Sequence, residues 1–276
     1  MTHRLKRRVE NAAVTIAVLI VLLICVFPIL MMLMTALKTP NDSVAIPPVW
    51  FFKPTLENFK EVFTLYPLWK YLSNSLICAS ASTAIALFIG TPAAYSLARF
   101  QFKSRENLAV WILSTRMAPP IAAVIPFFIL LRIIRLLDTR IGLIIIYVAV
   151  SLPFVVWIMR GFFEDLPREL EESAMVDGCS RYGAMFRIAF PLSAPGITAS
   201  AILVFMFNWN EFLFGLLLTG RRARTMPVAV PLFMKEFGIQ WGYMAASAIT
   251  MIVPLFIFTL FIQRYLVRGL TMGAIK

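Results

Sequence analysis

Six apolar runs, each long enough to cross a lipid bilayer, constrain this chain more than any other feature. They are Ala12–Ala36, Tyr71–Ala98, Asn107–Leu131, Ile141–Met159, Gly196–Thr219 and Tyr243–Ile262. A helix needs about 20 apolar residues to span the hydrocarbon core. Of the 26 basic and 14 acidic side chains, only Arg116 and Glu211 fall inside a run. In lipid the backbone's polar groups must be satisfied within the segment, so the runs read as six transmembrane helices of an all-α integral membrane protein.

Composition agrees. Hydrophobic residues make up 60% and charged residues 14%, against about 25% charged in soluble domains. A soluble enzyme, a secreted disulfide scaffold and a disordered chain are excluded. Cys25, Cys78 and Cys179 form no CxxC pair and are expected to be small packing residues. The net charge of +12 is scattered between apolar runs. That pattern suits a membrane surface and no nucleic acid.

The first run follows Arg4, Lys6, Arg7 and Arg8, as a signal peptide would. Its apolar core is too long and lacks a clean cleavage site, so it is expected to remain as an anchor. Six spans put both termini on one side. Lys and Arg number 14 on the N-terminal side and 11 on the other, which favours cytoplasmic termini but leaves the orientation open. Without repeats or linkers, residues 1–276 read as one membrane domain.

Five of the six runs contain proline, which removes a donor and kinks helices. Met117-Ala118-Pro119-Pro120 predicts a break in the third run. It is either an ordinary kink or part of a path or gate. Residues 38–70 are too apolar for a floppy linker and should fold back on the membrane face.

Between the fourth and fifth runs, residues 164–177 hold six of the fourteen acids. The periodicity of Leu166, Leu170 and Ala174, then of Tyr182, Phe186 and Ala189, predicts two short amphipathic helices. Pro167 suits a first helical position. Asp177-Gly178 breaks the first helix and Pro191 is expected to stop the second. The pair is either a docking knob, with apolar residues to fill a groove and acids to set register, or an amphipathic pair lying on the membrane.

Glu172-Ser173-Ala174-Met175-Val176-Asp177-Gly178, followed by Ile188-Ala189-Phe190-Pro191-Leu192, resembles the EAA loop of ABC-importer permeases. Ser173 and Cys179 replace the usual Ala, and Phe190 the usual Leu. Thr55-Leu56-Glu57-Asn58-Phe59, Asn74-Ser75-Leu76, Ala93–Phe100, Trp209-Asn210-Glu211-Phe212 and Gly269–Lys276 extend the resemblance to carbohydrate importers of the maltose-transporter type.

That resemblance implies a type I importer fold and cytoplasmic termini in a bacterial inner membrane. Glu171, Glu172, Ala174, Asp177, Gly178, Arg181, Phe186 and Pro191 would form a cytoplasmic coupling surface. Glu172 would pair with a basic residue of an ATPase, and the extreme C-terminus would touch it too. Implied partners are a second, homologous permease, two ATP-binding subunits and a periplasmic or lipid-anchored sugar-binding protein. Arg221, Arg222 and Arg224 would face the binding protein, or else belong to a solvated hairpin; they would also suit an anionic sugar derivative.

No G-x-x-x-x-G-K-[ST] occurs, so the chain has no phosphate-cradling loop. No cofactor is expected on this chain, and ATP and Mg would be bound by the partner ATPase. Charges inside a bilayer are expensive and face protein or water. Arg116 either pairs with Glu211 or lines a sugar path with Asn208, Asn210 and Glu211, or Trp209–Phe212 simply joins two permeases. The reading is the translocation subunit of an ATP-driven sugar importer. The alternative is a stand-alone secondary carrier or channel. One tail histidine, His3, and dispersed acids argue against a membrane enzyme and a metal site.

Overall fold

The computed structural model describes residues 2–235 and 238–271, with side chains over 11–234 and 239–260. The chain opens with α1 (Thr2–Leu37), α2 (Pro40–Val44), α3 (Glu57–Leu65) and α4 (Leu68–Arg99). Next come α5 (Arg105–Ser114), α6 (Pro120–Ile133), α7 (Arg140–Asp165) and α8 (Glu169–Val176). The short α9 (Arg181–Ala184) runs through a π-helical turn (Met185–Ala189) into α10 (Phe190–Leu192). Then follow α11 (Ala194–Trp209), α12 (Leu213–Leu218) and α13 (Met226–Ala229). A small antiparallel hairpin, β1 (Met234–Lys235) and β2 (Gly238–Ile239), precedes α14 (Trp241–Thr271). Two compact units result: Met1–Leu68 with Val230–Val253, and Trp69–Ala229 with Pro254–Lys276.

In the first unit, Asn11–Leu37 of α1 is apolar, and every residue over 11–30 is exposed, as a lipid-facing span requires; burial begins only towards its end, at Ala36. Cys25 is exposed there and is not buried by this chain as a packing residue would be, whereas Cys78 is buried. The end of α1 leaves carbonyls without helical partners. Asn58 supplies them, its buried Nδ2 donating to Ala36 O at 2.9 Å and Lys38 O at 2.6 Å. Gly242 packs on that amide, and a Cβ there would lie 2.5 Å from Asn58 Oδ1. The Tyr243 hydroxyl donates to Glu61.

Among the described residues, the second unit shows two apolar cores. One gathers Tyr95, Ala98, Val155, Met159, Phe163 and Val204. The other gathers Cys78, Val124, Leu131, Ile146, Tyr147 and Phe214. Close helix contact is set by glycine. A Cβ on Gly196 would come within 2.5 Å of the Phe162 ring, and one on Gly90 within 2.7 Å of Val155. A buried polar tie crosses three helices: Ser151 Oγ donates to Asn208 Oδ1, and Asn208 Nδ2 donates to Ser82 Oγ, each at 2.9 Å.

Four described helices, Asn11–Leu37, Leu68–Arg99, Arg140–Asp165 and Trp241–Leu260, are individually long and apolar enough to cross a membrane. Arg181–Leu192 and Ala194–Trp209 qualify only jointly, bent by 70°. The third predicted run is two helices. Pro119 takes φ −57° and ψ 126°, leaving the helix, and Pro120 restarts it at the first helical position, because a residue before proline avoids the α region. The fifth run breaks at Asn210–Phe212 without proline or glycine. There the Glu211 carboxylate accepts the N–H groups of Phe214 and Gly215, both at 3.1 Å, and starts α12 as a helix cap does.

Two local expectations are corrected. Pro167 precedes the N-cap Arg168 and is not in the first turn. Pro191 does not stop its helix. The π turn before it moves the Phe190 N–H onto Met185 O, which lets the chain absorb the proline's missing donor. The helix ends at Leu192 instead.

Candidate functional site

The acidic loop forms the expected pair of short helices, turning at Gly178 with φ 93°, a left-handed conformation that suits glycine. Its outer face is apolar and acidic together. Val176 is 87% exposed and Tyr182 75%, beside exposed Glu172, Asp177, Arg181, Phe186 and Pro191, while Ala174 is half-buried. Its inner face is ionic. Glu171 is only 6% exposed; Arg99 Nε donates to its Oε1 at 2.7 Å and Tyr95 Oη to its Oε2 at 2.5 Å. Arg99 Nη2 also donates to Leu166 O at 3.0 Å. Glu171 therefore anchors the loop to α4 and, unlike its neighbour Glu172, does not face outward.

A second ionic cluster joins α5 to α7. Arg160 donates to Glu106 and Glu164 at 2.8 Å, and Arg105 lies 3.0 Å from Glu106. The Arg160 and Arg105 guanidiniums hold the exposed Glu106 carboxyl below the usual carboxylate range.

At the break between α5 and α6 lies a cavity of about 460 Å³, whose polar lining includes Thr115, Arg116, Ser151, Asn208 and Glu211. Phe127, Phe207 and Phe214 add aromatic walls. Arg116 and Glu211 share this cavity but form no ion pair among the described residues. Arg116 Nη1 donates to Val150 O at 2.8 Å, and its Cζ lies 5.8 Å and 5.6 Å from the Phe154 and Phe207 ring centroids. Asn208 faces the cavity while tying helices together. Asn210 turns away, its Nδ2 donating to Met206 O at 2.8 Å.

Residues 86–272 match the family described as the binding-protein-dependent transport system inner membrane component. The chain belongs to this family. The permease is 38% identical to the sulfoquinovosyl glycerol transport permease SmoH of Agrobacterium fabrum, over 95% of this chain and 92% of that one. It is also 38% identical to the trehalose/maltose permease MalG of Thermococcus litoralis, over 95% of each. A chain of the crystal structure of a bacterial ABC transporter importing the acidic polysaccharide alginate shares the fold, with TM-score 0.77 and 20% identity over 94% and 97% of the two chains. The permease is thus a multi-pass inner-membrane subunit of an ABC importer.

Its segment after α12 is held by residues that the sequence did not single out for this role. Asp138, at φ 55°, accepts the N–H groups of Gly220 (2.7 Å), Ala223 (3.0 Å) and Arg222 (3.2 Å). Burial raises its carboxyl pKa, but those backbone N–H groups and the Arg222 charge outweigh burial and leave it below the ordinary value. Asn74 Nδ2 donates to Arg222 O and Arg224 O, and Arg140 Nε to Asn74 Oδ1 at 2.6 Å. Arg221 and Arg222 are exposed as expected. Arg224 is half-buried, its Cζ 5.9 Å from the Tyr71 ring centroid. The predicted C-terminal contact falls at residues 272–276, outside the described residues.

Tyr95, Arg99, Asn74, Asn58 and Asp138 are the positioning residues that sequence reasoning missed. The first four lay inside stretches quoted for the family resemblance. No signal marked Asp138, a lone acid in a short basic loop.

Proposed function

We propose that this permease moves a sugar or sugar derivative into the cell by alternating access, driven by ATP that separate subunits hydrolyse. ATP and Mg belong to those subunits. A second, homologous permease completes the pathway, and a periplasmic or lipid-anchored binding protein delivers the sugar. Both termini and the loop 164–191 are cytoplasmic, and residues 1–276 act as one translocation unit. Sugar as cargo is supported by the sulfoquinovosyl glycerol and trehalose/maltose relatives.

The observation that carries this reading is the two-faced loop. A connector that only had to be soluble would not expose Val176, Tyr182 and Phe186 beside acids while burying Glu171 against Arg99. Exposed apolar residues ringed by charge are what a groove on a partner needs. The outward residues Glu172, Ala174, Asp177, Gly178, Arg181, Phe186 and Pro191 form the ATPase seat, and Glu171 positions it from behind.

The test is uptake into proteoliposomes containing the assembled transporter, with binding protein and labelled trehalose or maltose as first probes. Glu172→Lys is expected to lower ATP-driven uptake at least about tenfold, the loss of one or two charge-assisted hydrogen bonds. Membrane insertion should be unchanged. Wild-type uptake by this variant, or uphill accumulation by the permease without any ATPase, overturns the proposal.

A further inference from the structure

We infer that the cavity at the α5–α6 break is a cargo subsite for an anionic sugar, with Arg116 as the residue that recognises its carboxylate or sulfonate. The inference rests on the sugar-import reading above and narrows its substrate class.

Four observations carry it. First, Arg116 is the single basic residue within the six apolar runs. A guanidinium cannot shed its proton, so its charge persists there. Second, no carboxylate neutralises it among the described residues. Glu211 lines the same cavity, but its two oxygens accept the Phe214 and Gly215 N–H groups. Third, the guanidinium is held yet available. One N–H group is committed to Val150 O, the Phe154 and Phe207 rings lie against it, and the residue is exposed. Of its five N–H donors, the remainder are free to form a fork. Fourth, the size and lining of the cavity suit a glycosyl unit. About 460 Å³ with Phe127, Phe207 and Phe214 beside a few polar groups is the usual build of a small-molecule site.

Neutral hydroxyls would be served by Asn or Gln without the cost of placing a charge in this setting. A fixed, aromatic-backed guanidinium is instead matched to a planar or tetrahedral oxyanion, which it binds through two parallel hydrogen bonds. The exposed Arg221 and Arg222 lie on a different segment and would add only long-range attraction.

The test uses the purified transporter, both permeases and the ATPase together, without binding protein, so that the permease alone sets the preference. Two probe pairs serve: a disaccharide bearing one uronic acid against its all-hexose counterpart, and a 6-sulfonated hexosyl glycerol against its 6-hydroxyl form. Affinities come from calorimetric titration. The anionic member is expected to bind about tenfold more tightly, as a charge-assisted pair gives. Arg116→Gln should bring the ratio to about one, and Arg116→Lys should keep part of the preference. Should Arg116→Gln not assemble, the wild-type ratio still decides, because rising salt must shrink it. Equal affinity within each pair in the wild type overturns this inference and leaves sugar import standing. An anion preference that survives in Arg116→Gln overturns the role of Arg116. No binding of either member of a pair overturns the subsite and leaves sugar import standing, whereas no ATP-driven uptake of any glycoside with the binding protein present overturns both readings.

Discussion

At Glu171 a carboxylate turns inward from a helix whose adjacent acid turns outward. The Glu171–Arg99 pair is almost wholly buried, with side chains 8% and 7% exposed, and it is closed by the Tyr95 hydroxyl. Removing one partner leaves the other charge buried and unmatched, which costs about 3–5 kcal/mol, whereas replacing both by apolar side chains is far less harmful. Glu171→Ala is therefore expected to lower the detergent melting temperature by several degrees. Arg99→Met combined with Glu171→Met should recover most of the loss, and strictly additive losses would contradict the pairing. Glu171 and Glu172 are indistinguishable to a reading by residue type. Helical spacing separates them by about 100° around the axis, but which of the two faces inward depends on where α4 lies, and that is tertiary information. Asn58, Asn74 and Arg99 were legible in another way. They sit in stretches that resemble a family, yet nothing local says that each clamps a distant backbone.

Among the elements, the breaks in the third and fifth runs separate what local chemistry announces from what it hides. Two adjacent prolines announce a kink or a break, and the structure shows the break. Glu211 had several readings, since a mid-run acid equally suggests a path residue, an ion-pair partner or part of a joint between permeases, and the cap it forms was not among them. The segment after α12 was read as an external loop, and its rigidity was not foreseen, because Asp138 acts on it from another connection. That clamp has a pH signature. The Asp138 pKa lies below its ordinary 3.8 in the folded chain, so its contribution to stability is fully present above that value. It is lost as pH falls through the lower folded value. Amide exchange at Gly220, Arg222 and Ala223, corrected for intrinsic rates, should be slow from neutral pH down to 3.8 and quicken only below it. Asp138→Asn keeps the left-handed backbone accessible and should show faster exchange at neutral pH with no such acid step. An acid step that persists in this variant would place the titration elsewhere.

For the whole molecule, the family match and the outer face of the loop lead to a topological expectation. In a chain with Cys25, Cys78 and Cys179 replaced, Val176→Cys and Tyr182→Cys should react with a membrane-impermeant thiol reagent from the cytosolic side. Both should be shielded once the ATPase is bound. Met185→Cys, at a position 6% exposed, should stay unreactive in either state. Labelling from the periplasmic side would reverse the orientation. Four of the six predicted spans and the two-helix form of the acidic loop were legible because lipid thickness and helical periodicity leave few alternatives, whereas the third and fifth runs, read as single spans, are each broken. The cavity was legible only as one of three alternatives, because residue types alone do not tell whether Arg116 and Glu211 pair or line a path; in the structure each engages backbone instead.

The ionic fastening of α8 to α4 has a mechanical corollary. An apolar pad transmits thrust but parts under load in the opposite sense. A desolvated carboxylate–guanidinium clasp resists tension as well as compression. On the proposed coupling to a separate ATPase, withdrawal of that subunit should thus drag α4 back as firmly as its advance drives it forward.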